Sequence, residues 1–183
     1  MSTLRETFLE ELGEIYDAEK QLLKALPKMA QAAEHEDLRR AFEEHFEQTE
    51  GQLERLEQVF EVIGEEPKTK SCKVVEMILK QADDLIKNHR GDAVLICAAQ
   101  KVEHYEIASY GSLNSWGRLL GEEDAADLLE ETLDEERDND EQLTELAENV
   151  IKVDEVGEEE EDEEDEGSEH GEDEPPQKST RSK

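Results

Sequence analysis

The chain has 183 residues, of which 34% are hydrophobic, 40% charged and only 4% aromatic, a balance that suits helices better than sheets. Its 53 acidic residues outnumber 20 basic ones, for a net charge of −33. A field of that sign repels nucleic acid and anionic membrane surfaces, attracts cations, and suits a solvated or high-salt surface.

The opening MSTLRETFLEEL has no basic leader followed by an apolar run, so no signal peptide is expected. The longest uncharged stretches, AVLICAAQ and IASYGSLNSWG, fall short of the roughly 18 residues needed to span a bilayer. Cys72 and Cys97 lack metal-ligand spacing and read as buried thiols of a reducing compartment. The expectation is a cytoplasmic protein that partners neither nucleic acid nor membrane.

Residues 3–34 read as a first helix. Thr3 and Glu6 make a T-x-x-E capping box, and Phe8, Leu12, Ile15, Leu22, Leu26 and Ala30 form its stripe. Pro27 should kink it. After the polar EHED, a second helix runs to Ile63 with Leu38, Phe42, His45, Thr49, Leu53, Leu56, Phe60 and Ile63 inward, and Gly64 is its expected stop. EEPKTKS is a loop. A short helix, Lys73 to Lys87, follows with Val74, Met77, Ile78, Leu85 and Ile86 as its apolar face.

Asp92 is the expected cap of the next helix, which runs to Leu120 and stops at Gly121. Its start, AVLICAA, is apolar all round and so should be covered on both sides, by the bundle and by the short helix or a second subunit. A last helix runs from Glu122 to about Val153, with Ala125, Leu129, Thr132, Leu143, Ala147 and Val150 inward. Residues 154–183 hold 15 of the 53 acidic residues and almost nothing apolar, which predicts a disordered acidic tail. The fold class is therefore all-α: a ferritin-like four-helix bundle over 1–153, with a short extra helix in the crossover.

Three helices place a carboxylate where leucine belongs. Glu19 takes the centre of the first stripe. Glu106 takes that of the helix after Asp92, with Glu103 beside it, and Glu136 that of the last, with Asp140 one turn on. Folding the second hairpin about residue 121 sets Glu106 opposite Glu136 and Glu103 near Asp140. Folding the first about residue 35 sets Glu19 level with Gln52. Unpaired charge inside a bundle is neutralised, paired or bound to metal, and no Lys or Arg stands at the centre of these stripes. Oxygen-rich clusters on facing helices suit iron, as a di-iron pair, or manganese. Chance placement among so many acidic residues is the plain alternative.

The second helix offers Thr49, Glu50 and Gln52 at this level, and no histidine has a glutamate three residues before it, so the di-metal Glu-x-x-His pattern is absent. His45 points inward but lies nearly two turns away in height and reads as a hydrogen-bonded core histidine. His104 reads as exposed or interfacial. Tyr16 and Tyr110 could hydrogen-bond a carboxylate, with core packing the plainer role.

EIYDAEKQLLKALPKMA, HFEQTEGQLERLEQVFE and above all AAQKVEHYEIASYGSL resemble the YciF-like family of bacterial ferritin-like stress proteins, over about residues 4–150. The resemblance implies a rubrerythrin-like bundle, a homodimer and expression linked to general stress. By it, Glu19, Glu103, Glu106, Glu136 and Asp140 sit on the helices that carry ligands in di-iron proteins. Two functions are expected to compete. One is a metal-binding stress protein that holds iron or manganese on Glu19, Glu50, Glu103, Glu106, Glu136 and Asp140 and handles oxygen or peroxide. The other is a metal-free homodimeric interaction protein.

Overall fold

The computed structural model describes residues 3–88 and 91–150; the predicted acidic tail, 154–183, and the predicted helix end at Val153 lie outside them. Among the described residues there are five helices: α1 Leu4–Ala32, α2 Glu36–Val62, α3 Lys73–Lys87, α4 Asp92–Leu120 and α5 Glu123–Val150. The capping box at Thr3 forms in both directions, with Glu6 N–H donating to Thr3 Oγ1 at 3.2 Å and Thr3 N–H to Glu6 Oε2 at 2.7 Å. α1 continues through Pro27 to Ala32.

Gly64 ends α2 with a left-handed φ of 72°. Its N–H reaches Glu61 O at 3.0 Å and that of Glu65 reaches Phe60 O at 2.9 Å, the two bonds of a Schellman stop. Gly121 ends α4 in the same way, through bonds to Arg118 O and from Glu122 to Gly117 O.

α1 packs on α2 and α4, and α5 packs on α4 and α2, so the four long helices form a ring in the order α1, α2, α5, α4. At one end Arg5 of α1 bonds Ile63 O and Glu122. At the other, Asp92 accepts from the N–H groups of Glu34 and His35 at 2.9 and 2.7 Å. The link between α2 and α4 therefore climbs the length of the bundle, and α4 runs parallel to α2. This is the ferritin-like arrangement with one crossover.

The climb runs along α1. Lys70 N–H donates to Gly13 O at 2.9 Å, and a Cβ on Gly13 would meet Lys68 O at 2.8 Å, so only glycine admits the link there. Asp17 then caps α3 by accepting from Cys72 N–H at 2.9 Å, and Lys28 meets Asp83 at 3.7 Å near its far end.

Three local expectations need correction. Asp92 does not cap α4, whose N-cap is Gly91 at φ 77°; its carboxylate is turned to the α1–α2 corner instead. α3 half-buries Ile78, Leu85 and Ile86 as expected, but it buries Val75 and Ala82 most deeply and leaves Val74 and Met77 52% and 61% exposed where it packs on α1 and α4. In the first turns of α4, Leu95, Ile96, Ala98 and Ala99 are buried and α3 packs on α4 as expected, while Ala93 and Cys97 are exposed within this chain. Cys72 alone is a buried thiol.

The core consists of two apolar clusters. One joins Phe8, Leu12, Ile15, Leu56, Phe60, Leu113 and Leu129. The other joins Leu22, Leu26, Leu38, Phe42, Ile96, Val102 and Leu143. Between them lies a fully buried polar layer of Glu19, Thr49, Gln52, Glu103, Glu106, Thr132 and Glu136, with His45 at its edge.

Candidate metal centre

Each long helix supplies this layer from the middle of its inward stripe. α4 brings Glu103 and Glu106, three residues apart and so on one face. α5 brings Glu136, and α2 brings His45. One donor atom from each of these four lies within 4.8 Å of one from every other. His45 Nδ1 stands 3.4 Å from Glu103 Oε1, and its Nε2 4.0 Å from Glu136 Oε2. An ion bonded at about 2.2 Å needs opposed donors roughly 4.4 Å apart, so the cluster closes on one with a small inward movement.

The atoms of this cluster are largely without partners. Both oxygens of Glu103, both of Glu106, Glu136 Oε1 and His45 Nε2 are buried and accept or donate no hydrogen bond within the chain. Buried polar groups are nearly always paired, and an orphaned acid is among the costliest exceptions. Burial first, then the charges of Glu19, Glu136 and Glu103, holds the Glu106 carboxyl well above its ordinary range. The Glu103 carboxyl is pushed up to about 8, chiefly by burial. Glu136 is likewise held well up by burial and by Glu103. Burial moves His45 the other way, to about 4, so its imidazole is neutral and able to bind a metal. Three carboxylates and an imidazole form a donor set for iron or manganese rather than for a soft, thiolate-seeking ion.

The rest of the layer is better satisfied. Glu19 accepts the Tyr110 hydroxyl, leaving Oε2 alone without a partner. Its carboxyl is held well up by burial and by Glu136, against the pull of Tyr110 and Arg55. Thr49 donates to His45 O at 2.8 Å within its own helix. Gln52 donates to Glu135 at 3.1 Å. Arg55 grips both oxygens of Glu135 at 2.9 and 2.8 Å and also reaches Thr132 and Glu131.

Of the sequence-predicted residues, the fold brings Glu103, Glu106 and Glu136 together and sets Glu19 beside them in the same layer. Glu50 does not join them: it is exposed on the outer side of α2. Asp140 is at the rim, 22% exposed, where Gln100 donates to it at 3.4 Å and His104 lies 3.9 Å away. His45 was expected as a core histidine remote from the carboxylates; instead it stands against two of them. Its position three and four residues from Phe42 and Thr49 on the inward stripe was the available signal. Both tyrosines do bond carboxylates, Tyr110 to Glu19 and Tyr16 to Glu57 at 2.7 Å. The Arg55–Glu135 pair went unforeseen.

Residues 3–155 match the family described as Domain of unknown function (DUF892). Protein YciF of Escherichia coli (strain K12) is 47% identical over 154 residues, 81% of this chain and 93% of its own. The crystal structure of the E. coli stress protein YciF superposes with a TM-score of 0.78 at 46% identity, over 81% of this chain and 97% of that one. YcfI from Rhodopseudomonas palustris superposes with a TM-score of 0.75 at 36% identity, over 83% and 96%.

Proposed function

Because the chain belongs to the DUF892 family and is a homologue of the stress protein YciF, we propose that it is a metal-binding stress protein whose ion sits among His45, Glu103, Glu106 and Glu136. The observation that carries this reading is the set of buried donor atoms with no partner, converging from three helices. A bundle that wanted only stability would place leucine at these positions.

Glu103 and Glu106 would hold the ion from one side and Glu136 from the next helix, with neutral His45 completing the set. Iron or manganese bound there would supply one-electron chemistry toward dioxygen or peroxide. The chain's own contribution is to exclude water with two apolar clusters, to keep His45 unprotonated, and to hold a proton between Tyr110 and Glu19 beside the centre. No described helix is long and apolar enough to cross a membrane.

The test is metal content per chain after anaerobic loading with Fe(II) or Mn(II) and exchange into chelator-free buffer. The wild type should retain an ion that Glu106→Gln and His45→Ala both lose. Equal content in all three would sink the assignment. The runner-up, a metal-free homodimeric interaction protein, is favoured by Val74 and Met77 lying open on α3. Failure of both metals to bind, together with a dimer by light scattering, would select it.

A further inference from the structure

The four donors of the centre are at most 8% exposed, so an ion from solution must pass between helices to reach them. The two apolar clusters close the layer on both sides along the bundle axis, and a bare cation does not cross such a core. Access is therefore lateral, through one of four walls.

Three walls are unsuited. The α1–α4 wall lies under α3, with Cys72 and Val75 fully buried there and Tyr105 packed against them. The α1–α2 wall holds a cavity whose acids, Glu43, Glu47 and Glu50, are all exposed, and Phe42, Phe46 and Ala30 stand between them and the buried layer. The α2–α5 wall is polar but tied shut, by Asn139 donating to Gln48 at 2.8 Å and by Gln52 and Arg55 on Glu135. Arg55 also repels an approaching cation.

The α4–α5 wall is different. Asp140 lies one turn from Glu136 on α5, and His104 follows Glu103 on α4, with Asp140 Oδ1 and His104 Nε2 3.9 Å apart. Exposure falls along this line from 68% at His104 to 22% at Asp140 and 1% at Glu103. Among the described residues, the one hydrogen bond to the Asp140 carboxylate is a 3.4 Å bond from Gln100, and neither oxygen of Glu103 has a hydrogen bond. The charge of Asp140 is felt at the Glu103 carboxyl, which it helps to raise.

We infer that Asp140 and His104 form an outer cation position at the α4–α5 wall, from which a divalent ion passes to Glu103 and into the buried centre. This rests on the metal-centre reading above. Asp140 draws the ion from solution, Glu103 swings between the outer position and the inner donors, and the same path returns the ion to water.

The signature of an access residue is kinetic. With the full-length chain and Co(II) as probe, uptake is followed by stopped-flow absorbance and release by transfer to excess chelator, with Glu106→Gln as baseline for ions bound elsewhere. Asp140→Asn should slow uptake by about tenfold and slow release as well, with Co(II) per chain at saturation unchanged. His104→Gln should shift both in the same direction by less. Uptake by Asp140→Asn at the wild-type rate overturns the inference. So does a loss of bound Co(II), which would make Asp140 a ligand of the centre itself. A wild type no different from Glu106→Gln overturns the centre, and the outer position with it.

Discussion

The α1–α2 hairpin and the α4–α5 hairpin face the same polar layer, but they satisfy their buried polar groups to different degrees. On the first, Glu19 has a tyrosine hydroxyl, Thr49 bonds its own helix and Gln52 is tied to Glu135, so that Glu19 and Gln52 each keep one partner and lack one, at Oε2 and Oε1. On the second, Glu103 and Glu106 have no partner at either oxygen and Glu136 lacks one at Oε1. His45 is the exception that crosses over, leaving the satisfied hairpin to stand against the unsatisfied one. A buried acid is thus not in itself a ligand. What marks a binding site is a set of buried acids for which the fold has provided nothing else.

The largest break in this contrast should come from Glu106→Leu. It removes a fully buried, unpartnered carboxyl and should abolish metal retention. The metal-free protein should meanwhile gain about 1–4 kcal/mol, read from urea unfolding at neutral pH or above. A loss of stability there would mean that Glu106 is structural.

The next effect is on pH. Raised folded-state pKa values mean that the acids bind protons more tightly when folded, so their contribution is full below their ordinary range and lost as pH rises through the folded value. For Glu103 that loss runs from its ordinary 4.5 up to about 8. His45 has the opposite sign. Its contribution is present above its ordinary 6.5 and lost as pH falls through about 4. Four acids outweigh one histidine, so the metal-free protein should melt highest near the ordinary carboxyl value of 4.5 and progressively lower toward pH 8. Metal loading should reverse the slope, because the ligands must give up their protons. A metal-free melting temperature that rises steadily from acid to pH 8 would contradict the orphaned-acid account.

Smaller effects sharpen the satisfied side. Arg55→Met leaves Glu135 without its bidentate partner and should cost about 2 kcal/mol, with metal content unchanged. Tyr110→Phe strands Glu19 and should cost about 1 kcal/mol. If it also raises the number of ions held, Glu19 is a latent ligand. Glu50→Gln, on the exposed face of α2, should stay within about 0.5 kcal/mol of wild type in stability and leave metal binding unchanged.

Local rules were sufficient wherever the physics is local. The helix ends follow from Thr3 with Glu6 and from the left-handed Gly64 and Gly121. The inward carboxylates follow from 3.6-residue spacing, which turns Glu19, Glu103, Glu106 and Glu136 to the core whatever surrounds them. The hairpin at residue 121 likewise sets Glu106 and Glu136 at one level, because a short turn fixes the register of the two helices it joins.

Tertiary structure decided the rest. The height of His45 was judged against α1, its hairpin partner, but its contacts are on α4 and α5. The register of α2 against those helices runs through the long crossover, where no turn sets it and only side-chain packing does. Glu50 and Asp140 have acidic side chains near the right level, yet their angular positions on the helices leave one outside and one at the rim. Asp92 had the residue type of a cap and became a clamp on the α1–α2 corner, because two free N–H groups lay within its reach. Spacing along one helix determines which residues point inward; which of them meet, and which are left without partners, is settled by how separate helices pack.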